Sequence, residues 1–187
     1  MKSFQEYLEL MIQEGVNDPG IFKAFFTAGG PGSGKSYVAS RAGVGKLSPY
    51  GLKVVNSDNQ YEKLLRDAGM AMNPENIFSP KGQEIRGRAK ALTAKQQTGY
   101  IQGRLGLLID GTGKDYAKIK KTSDSLRKIG YDSYMLFVNT SLDTAQQRNK
   151  MRERQLDESE VAEMWNAVQK NMGKFQTYFG RDKFILI

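Results

Sequence analysis

The chain has 187 residues, 39% of them hydrophobic and 26% charged, a balance that suits one globular domain with a single good core. It contains no cysteine and no histidine, which excludes disulfides, thiolate nucleophiles, the usual zinc ligands and the commonest general base. Acid–base work then falls to Asp, Glu, Lys or Tyr, and any metal must be a hard, oxygen-held ion such as Mg²⁺; the net charge of +8, spread over short clusters, attracts polyanions.

No apolar run approaches the ~18 residues of a membrane span. Ser3-Phe4-Gln5-Glu6 reads as a capping box, and Phe4, Leu8, Met11 and Ile12 make one apolar stripe, so the first predicted element is an amphipathic helix ending at Gly15. Asn17-Asp18-Pro19-Gly20 turns into a strand, Ile21 to Phe26. Next, Gly29-Gly30-Pro31-Gly32-Ser33-Gly34-Lys35-Ser36 fits G-x-x-x-x-G-K-[ST] in the strand-loop-helix context that this pattern requires. Glycines let backbone N–H groups close around phosphate oxygens without a Cβ in the way. Lys35 is expected to reach the β- and γ-phosphates, and Ser36 to offer its hydroxyl to Mg²⁺.

A helix from Lys35 to Ala42 and a connection through Gly43, Gly45, Pro49 and Gly51 lead to a strand, Lys53 to Ser57. That strand delivers Asp58 to the crevice outside the carboxyl ends of a parallel sheet. A short helix, Gln60 to Ala68, and a loop, Gly69 to Lys81, precede a basic helix, Gln83 to Gln102, with Arg86, Arg88, Lys90 and Lys95. The apolar strand Leu105 to Ile109 ends in Asp110-Gly111-Thr112-Gly113, a Walker-B type arrangement in which Asp110 holds Mg²⁺ or, alternatively, caps the next helix. The remaining elements are a helix from Tyr116 to Ile129, a strand from Tyr134 to Val138, and a helix capped by Thr140 or Ser141 that runs into the basic cluster Arg148 to Arg154. A helix from Ser159 to Phe175 with Val161, Trp165, Val168 and Met172 as core residues and a strand from Phe184 to Ile187 follow. This alternation predicts one α/β domain over residues 1–187, a five-stranded parallel sheet with helices on both faces, in a P-loop NTPase fold.

With these positions in place, the chain resembles the P-loop kinases grouped around bacteriophage polynucleotide kinase and the zeta toxins. The resemblance rests on the P-loop, Asp58 after the second strand, Leu107-Leu108-Ile109-Asp110-Gly111-Thr112, and Arg148-Asn149 with Arg152 one turn later, ahead of a helix bearing Trp165. It implies that Asp58 takes the proton of the acceptor hydroxyl, that Arg152, with Arg148 beside it, grips the β/γ-phosphates, and that Asp110 and Thr112 face the substrate. Such a site uses ATP and Mg²⁺ and needs no histidine. Polynucleotide kinases carry an arginine three residues past the catalytic aspartate, where this chain has Tyr61, and they continue beyond the fifth strand into a loop that helps hold adenine.

The expected activity is transfer of the γ-phosphate of ATP to a hydroxyl of a nucleic-acid 5′-end, a nucleotide or nucleoside, or a sugar nucleotide. The alternative is a non-catalytic nucleotide-binding structural or packaging component of a phage, for which a carboxylate at Asp58 has no use. A GTPase would follow D-x-x-G at Asp110 to Gly113 with N-K-x-D, but Asn149-Lys150-Met151-Arg152 has arginine at the last position. The first residues also resemble the leaders that large tailed phages use to carry proteins into the prohead, with Ile12-Gln13-Glu14 as the cleavage pattern. Removing residues 1–14 takes the net charge from +8 to +10, which suits packing beside DNA in a virion head. A helix docked on the domain of a host-cytoplasmic enzyme accounts for the same stripe.

Overall fold

The structure is a computed structural model that describes residues 21–41, 52–151 and 156–187. The N-terminal stripe with its cleavage pattern, the connection Gly43 to Gly51, and Arg152 lie outside the described residues. The chain divides into two compact units, one formed by residues 1–54 and 104–187 and the other by Val55–Gly103.

The first unit is built on a parallel sheet of five strands. These are β1 (Lys23–Ala28), β2 (Lys53–Val55), β3 (Leu107–Ile109), β4 (Asp132–Phe137) and β5 (Phe184–Leu186), in the order β2-β3-β1-β4-β5. Every residue of β1 is buried, as a central parallel strand covered on both faces requires. Phe25 pairs with Leu108 on one side and Tyr134 on the other. The connection from β1 runs toward the β2 edge and that from the adjacent β3 runs the other way to β4, so the carboxyl ends of β1 and β3 flank the topological switch point, where α/β sheets open a crevice.

Two of the helices of this unit have a capping side chain or glycine that explains a bound. Helix α1 (Lys35–Arg41) begins inside the P-loop motif. Asp115 caps α5 (Tyr116–Arg127) by accepting from the Lys118 N–H at 2.9 Å, and Gly130, at φ 97°, turns the chain into β4. Ser141 caps α6 (Leu142–Lys150), accepting from the Thr144 N–H at 3.2 Å. Helix α7 (Glu158–Phe179) runs four residues past its expected end, because Phe179 packs against Phe26 of β1 with ring centroids 6.0 Å apart. At the opposite end of the sheet, Asp132 bridges Lys23 at 3.1 Å and Lys183 at 2.7 Å, and the two ammonium groups hold its carboxyl below the usual carboxylate range.

The second unit comprises α2 (Ser57–Asp67), α3 (Pro74–Phe78) and α4 (Pro80–Gln102). Its core is Tyr61, Leu65, Ile77, Ile85 and Ala89. Two expectations are corrected here. The strand leading to Asp58 ends at Val55, because the Asn56 side chain accepts from the Asp58 N–H at 2.7 Å and starts the helix at once. The loop over 69–81 contains α3, and α4 starts at Pro80, where Ser79 Oγ accepts from the Gly82 N–H at 3.0 Å and proline occupies the first helical position. Among the described residues no helix is long and apolar enough to cross a membrane.

Two glycines of α4 separate packing from propensity. A Cβ on Gly82 would overlap the Asn76 carbonyl oxygen, whereas one on Gly87 meets nothing within 4 Å. Gly87→Ala is expected to stabilise by about 0.5–1 kcal/mol through helix propensity. Gly82→Ala is expected to destabilise by about 1–3 kcal/mol, since backbone must move to admit the methyl. Urea midpoints of the two variants, shifting in opposite directions, check both.

Candidate active site

The P-loop leaves the end of β1 and curls where side chains do not fit. A Cβ on Gly29 would lie 2.5 Å from Ser33 Oγ and 2.7 Å from the Val138 carbonyl oxygen, and one on Gly32, at φ 72°, would overlap the Ala145 carbonyl oxygen. Lys35 Nζ donates to the carbonyl oxygens of Gly29 at 2.6 Å and Gly30 at 3.0 Å. From α6, Arg148 Nη1 donates to the carbonyl oxygens of Gly32 at 3.3 Å and Ser33 at 3.4 Å. Two cations therefore stand on the carbonyl rim of the loop. Successive backbone N–H groups of a glycine-rich loop can form an anion-binding nest, and both cations are close enough to that loop to serve the same anion. Ser33 Oγ is buried with no hydrogen-bond partner among the described residues, an orphan that a phosphate oxygen would satisfy.

Asp110 follows β3, one step beyond the Phe26–Ile109 register pair, and so stands beside Thr27 of β1. Thr27 Oγ1 donates to Asp110 Oδ1 at 2.6 Å and accepts from the Gly111 N–H at 3.1 Å. The Gly29 N–H donates to the Thr112 carbonyl oxygen at 2.9 Å, which ties this turn to the P-loop itself. Asp110, Thr112, Lys35, Ser36 and Arg148 are thus carried by one unit around the end of β1, and Asp58 is carried by the other. Asp58 is exposed in the first turn of α2, where a carboxylate suits the positive end of the helix. Its neighbour one turn on, Tyr61, is buried, with the Arg86 guanidinium carbon 5.2 Å from its ring centroid.

Ser36 and Asp110 are hard oxygen donors. Mg²⁺ takes one or two protein oxygens and completes its shell with water and phosphate, so this pair fits it without a larger carboxylate cluster. No group of three or more acidic side chains stands together among the described residues.

Three further residues shape the site. Thr27, the polar residue of an otherwise apolar strand apart from its first lysine, fixes the Asp110 carboxylate. Trp165, read from the sequence as core, is half-buried against the P-loop: a Cβ on Gly30 would lie 3.5 Å from Trp165 Cα, and its indole N–H donates to the Thr140 carbonyl oxygen at 2.8 Å. Asn149 spans the connection that contains Arg152, donating to the Leu156 carbonyl oxygen at 2.7 Å and accepting from the Leu156 N–H at 3.2 Å. Across the same connection Lys150 and Glu158 pair at 2.6 Å, and the ammonium lowers the Glu158 pKa.

A glycine-rich loop at the switch point, with a lysine and a strand-end aspartate beside it, defines a P-loop α/β nucleotide-binding protein. Residues 12–184 match the family model of the zeta toxin, and the chain belongs to the zeta toxin family. None of the curated proteins matches it by sequence. Among solved structures it is similar to a chain of the PezAT chromosomal toxin-antitoxin system of Streptococcus pneumoniae (TM-score 0.63, 14% identity, covering 100% of this chain and 78% of that one). A chain of the Pnkp1/Rnl/Hen1 RNA repair complex is also similar (TM-score 0.61, 16% identity, 87% and 48% covered). So is a chain of the AvrRxo1-ORF1:-ORF2 complex with ATP (TM-score 0.63, 16% identity, 96% and 57% covered). At these identities the likeness concerns the fold, and this chain spans about half the length of the last two.

Trp165 is the only tryptophan of the chain and packs on the loop that would hold the phosphates. Titration with ATP is expected to change its fluorescence saturably, and Lys35→Ala to weaken the apparent affinity at least about tenfold, the loss of one charge-assisted contact. An unresponsive tryptophan, or a Lys35→Ala variant that titrates like wild type, counts against nucleotide at this loop.

Proposed function

We propose that the chain is an ATP-dependent P-loop phosphotransferase that moves the γ-phosphoryl group to an acceptor hydroxyl, within one functional domain over residues 1–187. The observation that carries this reading is the P-loop rim, where Lys35 and Arg148 both bond to loop carbonyls while the cradle keeps an orphaned Ser33 hydroxyl inside. Membership of the zeta toxin family supports it. So does the fold shared with a protein whose structure is described as being with ATP.

In this reading the loop from Gly29 to Ser36 wraps the phosphate chain, with Gly30, Pro31 and Gly34 shaping its curl. Lys35 neutralises charge on the β- and γ-oxygens; Arg148 adds to it from α6, and Arg152 is assigned the same role by the family resemblance. Ser36 and Asp110 would hold Mg²⁺, which supplies further neutralisation of those oxygens when bound. Thr112 lines the acceptor side. Asp58 accepts the hydroxyl proton as the acceptor oxygen bonds to the γ-phosphorus and the bond to the β-bridging oxygen breaks, releasing ADP. Positioning and charge neutralisation supply most of the rate in such transfers. The acceptor class is a hydroxyl of a nucleic-acid 5′-end, a nucleotide or nucleoside, or a sugar nucleotide.

Incubation with γ-labelled ATP and each acceptor class, followed by identification of the labelled product, tests the reading. Lys35→Ala is expected to abolish transfer. Asp58→Asn is expected to lower kcat by about 10²–10⁴-fold while leaving ATP affinity unchanged, as loss of a general base does. Full activity of the Asp58→Asn variant would remove the base from α2, and loss of label only as inorganic phosphate would make the protein a hydrolase.

A further inference from the structure

Helix α7 packs one face inward through Val161, Val168, Asn171, Phe175 and Phe179. Within that stripe Asn171 is the polar exception, and it is 6% exposed. A buried amide is kept only where its hydrogen bonds are made, because an unpaired one costs more than an apolar side chain of the same shape. Asn171 Nδ2 donates to the carbonyl oxygens of Gly113 at 3.0 Å and Lys114 at 2.9 Å, and Oδ1 accepts from Lys174 Nζ at 3.4 Å. Both of its amide hydrogens therefore go to the turn that follows Asp110.

Within the turn itself the Lys114 N–H donates to Thr112 Oγ1 at 3.5 Å. Gly113 lies at φ 82°, and a Cβ there would stand 2.5 Å from Ala28 Cβ, so no side chain anchors this point. Upstream, the turn is held by the Gly111 N–H on Thr27 Oγ1 and by the Gly29 N–H on the Thr112 carbonyl. Downstream, Asp115 is already committed to capping α5. Between these two anchorages the carbonyls of Gly113 and Lys114 point to α7, and Asn171 holds both.

We infer that Asn171 is a positioning residue: it clamps the turn from Gly111 to Lys114 from the α7 side and thereby fixes the heading of the Asp110 carboxylate and of Thr112. This rests on the reading of Asp110 as a Mg²⁺-holding residue of a nucleotide site. Asn171 touches neither nucleotide nor metal in that reading, and it acts only through two backbone carbonyls.

The test compares wild type with Asn171→Leu, which keeps the branched shape and removes both N–H hydrogens, and with Val168→Ala, which loosens the same helix without touching the turn. Asn171→Ser serves if the leucine variant does not fold. Two readouts are taken: amide hydrogen exchange by segment, and the Mg²⁺ concentration that half-saturates the effect of Mg²⁺ on ATP binding, followed by Trp165 fluorescence. In Asn171→Leu, exchange over 110–114 is expected to accelerate at least about tenfold while 24–28 stays protected, as release of a local unit does. The half-saturating Mg²⁺ concentration is expected to rise at least about fivefold, with ATP affinity in EDTA within about twofold of wild type, since the phosphate cradle keeps its own contacts. Val168→Ala should lower Tm and change neither readout. Wild-type exchange over 110–114 in a folded Asn171→Leu protein, or a Val168→Ala protein that reproduces both effects, overturns the clamp. A loosened turn with an unchanged Mg²⁺ requirement overturns the link from the turn to the metal through Asp110. Failure of ATP to alter Trp165 fluorescence in wild type would instead strike the nucleotide reading itself, while the exchange data still judge the clamp.

Discussion

The hydrogen bond from Thr27 Oγ1 to Asp110 Oδ1, 2.6 Å long, joins the carboxyl ends of the two strands that flank the switch point. Thr27 is fully buried, so its hydroxyl cannot turn to water and must find protein partners on both its donor and acceptor sides. It finds the Asp110 carboxylate and the Gly111 N–H, which pins a charged group at the point where β3 gives way to loop. Bonds to an ionised acceptor are roughly twice as strong as neutral ones, and in a buried setting they set direction as well as distance. The parallel register delivers this contact: Phe26 pairs with Ile109, so the next residues of each strand meet. A one-residue slip would put Thr27 and Asp110 on opposite faces and break the bond between them.

The P-loop depends on this end of β1 in turn, because its four glycines have no side chains with which to hold its shape. Its curvature comes from neighbours: Thr112 accepts from the Gly29 N–H, Ala145 crowds Gly32, and Trp165 packs over Gly30. The cations Lys35 and Arg148 bond to the carbonyls of Gly29, Gly30, Gly32 and Ser33 and so hold the loop from two sides. Helix α7 serves the loop and the Asp110 turn together, since Trp165 and Asn171 are six residues apart, a rise of about 9 Å along the axis.

The P-loop motif, the five-stranded parallel sheet and the strand-end Asp110 are legible in the sequence because their cause is local, whereas the order of the strands is not. Eight consecutive residues define the cradle, and a run of aliphatics ending in aspartate defines the strand. The start of α2 was misread by three residues because Val54-Val55-Asn56-Ser57 suits a strand by propensity, while the Asn56 cap, a contact of two residues' reach, decides the outcome. The extension of α7 to Phe179 depends on rings of β1 and α5, far off in sequence. Asn171 carried a signal without an address: a polar residue three after Val168 and four before Phe175 breaks an apolar stripe, but only the fold shows that Gly113 and Lys114 lie opposite it.

The second unit carries Asp58 and, three residues on, Tyr61. In the polynucleotide kinases that the sequence resembles, the position three past the aspartate carries an arginine for the substrate phosphate; here it is Tyr61, 2% exposed, in the core with Leu65, Ile77, Ile85 and Ala89. A side chain so placed is committed to packing and cannot turn outward to grip an anion without emptying the core of a small helical unit. An arginine at the same point would bury an unpaired charge among aliphatics, which costs several kcal/mol. The guanidinium has not left the neighbourhood, however. Arg86 of α4 is half-buried with its charge over the face of the Tyr61 ring, and an aromatic face attracts a cation while leaving the guanidinium edge and its N–H groups unspent. Tyr61 therefore serves the packing of this unit and gives the Arg86 guanidinium an aromatic platform.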